Sequence, residues 1–244
     1  MPNKRKVSII IPCYNEQSIL EKNSIEIKKI MDTTKFDYDV ILIDDKSQDR
    51  TVEIAQKIVS KYKNFKLMCH KKNMGRGGTV SEGIKSTNSD IVGFIDIDLE
   101  TPEWYLPKLI SSIKDGADVA TANRIYKFNF GDFGIIHRWV SHKAYKRLVK
   151  MLLKTKLKDT ETGCKFFNRE KILPVLDLIK DKHWFWDTEI MVRSYYKGLK
   201  IIEIPTVFIR KKEISSSLNF VKDTMDYIKN LLSFRKELKK EGLI

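Results

Sequence analysis

Four aliphatic or β-branched runs, Val7–Pro12, Tyr38–Asp44, Phe65–Cys69 and Ile91–Ile95, alternate with segments of helical periodicity through the first part of the chain. This rhythm constrains the fold more than any other feature. Consecutive parallel strands need helical crossovers, and right-handed crossovers place helices on both faces of the sheet. Val7-Ser-Ile-Ile-Ile and Ile91-Val-Gly-Phe-Ile lack the alternation of a half-exposed strand, as expected of strands covered on both faces. Between them, Ile19, Ile27, Ile30 and Met31 mark one helix. Val52, Ile54, Ala55, Ile58 and Val59 mark a second, behind the capping-type residues Ser47–Thr51.

The strand ends carry acids. Tyr38–Asp44 runs into Asp45, and Ile91–Ile95 runs into Asp96-Ile-Asp98-Leu-Glu100. Ligands of open α/β sheets bind beyond the carboxyl ends of the strands. Two carboxylates on alternate residues there can converge on a hard divalent cation that also holds phosphate oxygens. A pair of solvated loop acids has the same pattern, so Asp-x-Asp alone does not decide. Asn73-Met-Gly-Arg-Gly-Gly78 opens the next helix, but its spacing is neither Gly-x-Gly-x-x-Gly nor a Walker loop. It reads as a tight turn that sets Arg76 within reach of a nucleotide base or phosphate.

With 244 residues, 42% hydrophobic and 32% charged, the chain is expected to fold as one large α/β domain, which excludes a disordered protein. A formal net charge of +14 calls for a polyanionic or membrane partner. Cys13, Cys69 and Cys164 lie far apart without a Cys-x-x-Cys, the usage of a reduced, cytoplasmic protein. Met1–Lys6 leads straight into the first strand without a signal peptide, and no apolar run approaches the roughly 18 residues that span a bilayer.

Past Pro102 a helix is predicted to Ile113, then a strand Asp118–Ala122 ending at Asn123-Arg124. From about 134 to 154, Ile135, Ile136, Trp139, Val140, Tyr145, Leu148, Val149 and Leu152 recur at helical spacing among Arg and Lys, with no acid from Phe133 to Lys158. Such a helix suits a membrane surface, and it equally suits packing of an apolar face on the sheet. Asp159–Phe167 is a polar turn entering a short strand, and His183–Glu189 places Asp187 and Glu189 at the start of a helix, where acids also serve as dipole partners. Strands are expected at Lys200–Ile204 and Thr206–Arg210. A last basic amphipathic helix follows, giving an α/β unit 1–212 and a helical extension 213–244.

In this order the motifs resemble glycosyltransferase family 2, the inverting enzymes of the GT-A fold, over nearly the whole chain. Val7–Glu16 matches the Pro-x-Tyr-Asn-Glu opening, Asp44-Asp45-Lys-Ser-Gln-Asp49 matches Asp-Asp-x-Ser-x-Asp, and Asn73–Gly78 and Asp96-Ile-Asp98 complete the set. The second half resembles the polyprenyl-phosphate (dolichyl-phosphate) hexose synthases, with a slight lean towards the glucose enzymes. The resemblance implies a mostly parallel GT-A sheet flanked by helices, with amphipathic interface helices near 135–153 and 218–239. It implies a hexose moving with inversion from UDP-glucose or GDP-mannose to a lipid phosphate on the cytoplasmic face of a membrane. Pro12, Tyr14, Glu16, Asp44 and Asp45 would hold base and ribose, with Arg76 and Asp96 also on the nucleotide sugar. Asp96, Asp98 and Glu100 would hold Mg²⁺ or Mn²⁺. Arg124, Arg138, Ser141 and Arg210 would take the acceptor phosphate, near Asp159-Thr-x-x-Gly163 and Trp186-Asp-Thr-Glu189.

A phosphate acceptor is already anionic and needs no strong base. A sugar hydroxyl would need one, and Asp187 or Glu189 would then serve beside Asp98. Acids at successive strand ends, without a recognised nucleic-acid motif, argue against a nucleic-acid partner. An anionic membrane surface fits the charge, and a membrane-spanning partner or a second copy stays open. The chain departs from the family at Lys46 and Arg50, where glycine is usual, and at Cys164-Lys165, where Phe-Arg is commoner. It departs again after Arg210, where Lys-Lys-Glu-Ile-Ser-Ser-Ser replaces Gly-x-Ser-Lys.

Overall fold

The computed structural model describes residues 6–126, 133–209 and 220–244, with side chains described for 6–126, 143–209 and 225–244. Strands β1 (Lys6–Cys13), β2 (Asp37–Asp44), β3 (Phe65–Cys69) and β4 (Ile91–Ile95) alternate with helices α1 (Leu20–Asp32), α2 (Thr51–Lys61) and α3 (Arg76–Ser86). After α4 (Leu106–Lys114) come β5 (Val119–Tyr126), α5 (Phe133–Leu153), β6 (Cys164–Asn168), α6 (Arg169–Leu176), α7 (Trp186–Tyr196), β7 (Ile201–Phe208) and α8 (Phe220–Lys240). The seven strands form one sheet in the order β3-β2-β1-β4-β6-β5-β7. β6 runs antiparallel to both its neighbours, and every other pairing is parallel.

Alternate side chains of β1 explain why two helical layers are needed. Ile9 and Ile11 point into a core closed by α1, α2 and α4. Ile10 points into the opposite core, closed by α3, α5, α6, α7 and α8. Removing apolar surface on both faces is the main driving force for this three-layer arrangement. α8 belongs to the second core, since Leu231, Phe234 and Leu238 are buried there, while Met225, Ile228 and Leu232 face outwards. The C-terminal half of α5 packs likewise through Val149 and Leu153, with Tyr145 edge-on to Tyr227 of α8. No helix among the described residues is long and apolar enough to cross a membrane.

Two sequence expectations change. The predicted strands on either side of Pro205 are one strand, β7, because β7 is the sheet edge and a proline lacking its N–H can face outwards there. β5 continues past Ala122 to Tyr126, since its whole length pairs with β7 from Val119↔Ile201 to Tyr126↔Phe208. The topology then fixes the site. β1, β2, β4 and β5 end on the same edge of the sheet, and reversed β6 begins there, with the Asp96 amide donating to the Gly163 carbonyl at 2.8 Å.

Candidate functional site

Between β1 and α1, Tyr14 is exposed and Asn15 takes a left-handed conformation at φ 57°. Asn15 Oδ1 accepts from the Gln48 amide and the Ser47 hydroxyl accepts from the Asn15 amide, so the loops after β1 and β2 are laced together. Asp44 accepts the amides of Lys46 and Ser47, forming a turn in which Lys46 has φ 69°. Glycine takes this left-handed backbone without steric cost, and here Lys46 holds it instead. Asp45 does different work. Its carboxylate accepts the amides of Met74 and Gly75 at 2.6 and 2.9 Å and bonds His70 Nδ1 at 2.8 Å, which pins the glycine loop to β2. Gly75 itself has φ 77°, and a Cβ there would overlap the Lys182 carbonyl and the His183 ring. Both Asp44 and Asp45 are buried by these turns.

The loop so held delivers Arg76 to the end of β4. Its Nε and Nη2 bond the two oxygens of Asp96 at 2.8 and 2.9 Å, and its Nη1 bonds Asp187 at 2.6 Å. Phe94 and Trp184 flank the guanidinium, 5.0 and 5.3 Å from its central carbon. Burial opposes the Arg76 charge, but Asp187 and Asp96 outweigh it and hold the group above its usual range. The second oxygen of Asp187 bonds Lys165 Nζ at 2.6 Å, and Lys165 has no exposure. A lysine is almost never fully buried unless paired, and here the Thr162 carbonyl accepts a further bond from it. Asp96, Arg76, Asp187 and Lys165 thus alternate in sign through the interior. Sequence reasoning noted Lys165 only as a departure from the family's Arg and missed this pairing.

Asp98 Oδ1 accepts the Glu100 amide at 3.0 Å, and Leu99 between them is left-handed at φ 51°. A buried leucine in that region is a strained backbone that the surroundings impose, a feature that clusters at functional sites. Burial and the charges of Asp98 and Asp96 push the Glu16 carboxyl up to about 7. Burial also pushes Asp96 up to about 6 despite Arg76, with Asp98 adding to the rise. So three carboxyls from the ends of β1 and β4 crowd one another. Hard oxygen donors at this density suit Mg²⁺ or Mn²⁺, which bind through one or two carboxylates with phosphate and water completing the shell. Among the described residues, however, no three His, Cys, Asp or Glu side chains are placed so as to hold a metal ion by themselves.

Across β6 lies a second charged group. Arg124, on β5, donates through Nε and Nη2 to Asp159 at 2.9 Å and reaches Glu161 at 3.4 Å. Lys146 of α5 meets Asp159 at 3.3 Å, and burial with the Arg124 charge lowers its pKa against the pull of Asp159. Glu203 accepts the amides of Lys158 and Asp159 and fixes this loop to β7, another contact not legible in the sequence. Glu189 points elsewhere. It accepts the amides of Lys180 and Asp181 and bonds Arg193, so it anchors the loop before α7. Arg138 and Ser141 lie on α5 with side chains outside the described set, and Arg210 lies outside the described residues.

The family model described as Glycosyl transferase family 2 matches residues 8–174. The chain is 30% identical over 203 residues to glycosyltransferase AglD of Haloferax volcanii, covering 82% of this chain and 32% of that protein. It is 30% identical over 234 residues to the dolichol-phosphate mannosyltransferase of Pyrococcus furiosus, covering 95% and 64%. With the dolichyl-phosphate beta-glucosyltransferase of Saccharomyces cerevisiae it shares 27% over 220 residues, covering 82% and 65%. The chain therefore spans from about a third to just under two thirds of these relatives' lengths. Among solved structures, the fold is similar to glucosyl-3-phosphoglycerate synthase from Mycobacterium tuberculosis in complex with Mn²⁺, UDP and glucosyl-3-phosphoglycerate. That match has a TM-score of 0.71 at 16% identity over 95% of this chain and 80% of that one. The seven-stranded, mostly parallel sheet is thus a GT-A sheet, and the chain belongs to glycosyl transferase family 2.

Proposed function

We propose that this protein moves a hexose from a nucleotide sugar, UDP-glucose or GDP-mannose, to a polyprenyl (dolichyl) phosphate at a membrane surface. One observation carries the reading. Crowded carboxyls at the ends of β1 and β4 share the sheet edge with the Arg124–Lys146 cluster across β6. A donor diphosphate with its metal suits the first group, and an anionic acceptor suits the second. The names of the relatives from Pyrococcus furiosus and Saccharomyces cerevisiae support the same acceptor class.

In this reading Pro12, Tyr14 and Glu16 line the nucleoside side, and Asp44 and Asp45 shape the loops that hold it. Asp98, with Asp96 and Glu100, would hold Mg²⁺ or Mn²⁺, which when bound neutralises charge on the leaving diphosphate. Arg76 adds a fixed guanidinium beside the diphosphate. Arg124, Lys146, Arg138, Ser141 and Arg210 orient the acceptor phosphate, whose oxygen is already ionised and attacks the anomeric carbon from the opposite side. Asp187 has both oxygens engaged by Arg76 and Lys165, and Glu189 is committed to loop amides and Arg193. That engagement supports a phosphate acceptor over a sugar hydroxyl. The outward Met225, Ile228 and Leu232 on basic α8, with Met151 of α5, support a peripheral hold on an anionic membrane.

The test is transfer of radiolabel from UDP-glucose or GDP-mannose, with Mn²⁺, into polyprenyl phosphate in vesicles. Label entering the organic phase is the expected result, and the active donor identifies the product. Label that stays aqueous would move the assignment to a saccharide acceptor.

A further inference from the structure

The chain entering α7 presents three aromatic rings in a row, Trp184, Phe185 and Trp186, and treats one of them differently. Phe185 and Trp186 are buried, whereas Trp184 is 44% exposed. The segment is firmly held. Glu189 takes the amides of Lys180 and Asp181, and Asp181 takes those of His183 and Trp186 at 2.8 and 3.0 Å. The Lys182 carbonyl accepts the Gly78 amide at 2.9 Å, and Trp186 Nε1 donates to Ser81 at 2.7 Å. An indole left half in water on so constrained a segment is presented, since burial of that ring would otherwise stabilise the fold.

Its place says to what. The ring lies against Arg76, which holds both oxygens of Asp96, so Trp184 forms a wall one side chain away from the crowded carboxyls. Arg76 lies over one face of the ring, so a hexose joined to a diphosphate at those carboxyls would meet the part of the indole left open to solvent. The face of an indole carries negative charge density, and the axial C–H bonds of a pyranose, polarised by the ring oxygens, meet such a face favourably. We infer that Trp184 is the platform on which the hexose of the donor rests. This rests on the reading of the chain as a nucleotide-sugar transferase. It assigns to Trp184 the recognition of the sugar, as distinct from the nucleotide.

Calorimetric titration of the full chain with Mn²⁺ separates the two roles, using UDP-glucose and GDP-mannose against UDP and GDP. Trp184→Ala is expected to weaken the sugar nucleotide about tenfold, the upper range of an aromatic contact, and to leave the nucleoside diphosphate within about twofold. Trp184→Phe keeps a π face and should recover most of the loss. Thermal melting of both variants checks that the exposed position leaves the fold unchanged. Equal loss for sugar nucleotide and nucleoside diphosphate would overturn the proposal, since the ring would then act by holding Arg76. Unchanged donor affinity with weaker binding to anionic vesicles would overturn it in favour of a lipid contact, and no change in either would overturn it outright. A wild-type chain that binds none of the four ligands would overturn the transferase reading itself, and the platform with it.

Discussion

Asparagine at position 98 keeps the shape of the side chain and removes its charge. Asp98→Asn should abolish turnover with the far-ultraviolet circular dichroism unchanged, and retention of most metal-dependent activity would sink the metal assignment. Lys46 offers the opposite kind of test. Its φ of 69° costs a non-glycine residue about 1 kcal/mol, so Lys46→Gly should raise the unfolding free energy by up to that amount, read as a higher urea midpoint. The crowded carboxyls give a pH dependence with a definite sign. The unfolded chain releases these protons near pH 4, whereas folded Asp96 and Glu16 keep theirs to about 6 and about 7. Between those values the native state binds more protons, so this contribution to stability falls as pH rises. Without metal, the fall in melting temperature from about pH 5 to about pH 7.5 should shrink by a few degrees in Glu16→Gln. Mn²⁺ should raise the melting temperature more at the higher pH, because its binding displaces protons. An equal rise at both would argue against Asp96 as its ligand.

At the scale of elements, α7 and α8 are joined by a buried clasp. Arg193, 3% exposed, bonds Glu189 on its own helix, Glu237 on α8 and Glu241 just past the end of α8. Arg193→Ala leaves Glu189 buried with its charge less compensated, a change that costs about 3–5 kcal/mol in comparable pairs and should appear as a lower urea midpoint. The outer face of α8 should behave independently. Ile228→Asp is expected to weaken binding to anionic vesicles severalfold while leaving melting nearly unchanged, and a large drop in melting temperature would mean that the residue packs inwards. These two elements also show where sequence reading stops. Strands β1 to β4 and their helices were legible because local periodicity and strand-end acids specify them. The join at Pro205 was not, because a proline reads as a break unless the strand is known to be an edge. The chain Asp96–Arg76–Asp187–Lys165 was invisible for another reason. Its links span 20, 111 and 22 residues, and no spacing rule connects them.

For the whole molecule, a net charge of +14 makes association with anionic surfaces a matter of ionic strength. Vesicle binding should weaken steeply between about 0.05 and 0.5 M salt, whereas donor affinity, set at a partly buried site, should change far less. The single reversed strand has a wider consequence. At this edge β1, β2 and β4 contribute the loops that follow them, but β6 contributes the loop that precedes it, Asp159–Gly163. The connection from α5 to β6 can therefore lengthen or change composition without shifting the register of β1, β2 or β4. On the proposed function, a chain built this way would vary part of its acceptor side within this one segment while its donor half stays as it is. Gly163 is the limit on that freedom, because any side chain there would collide with Asp96.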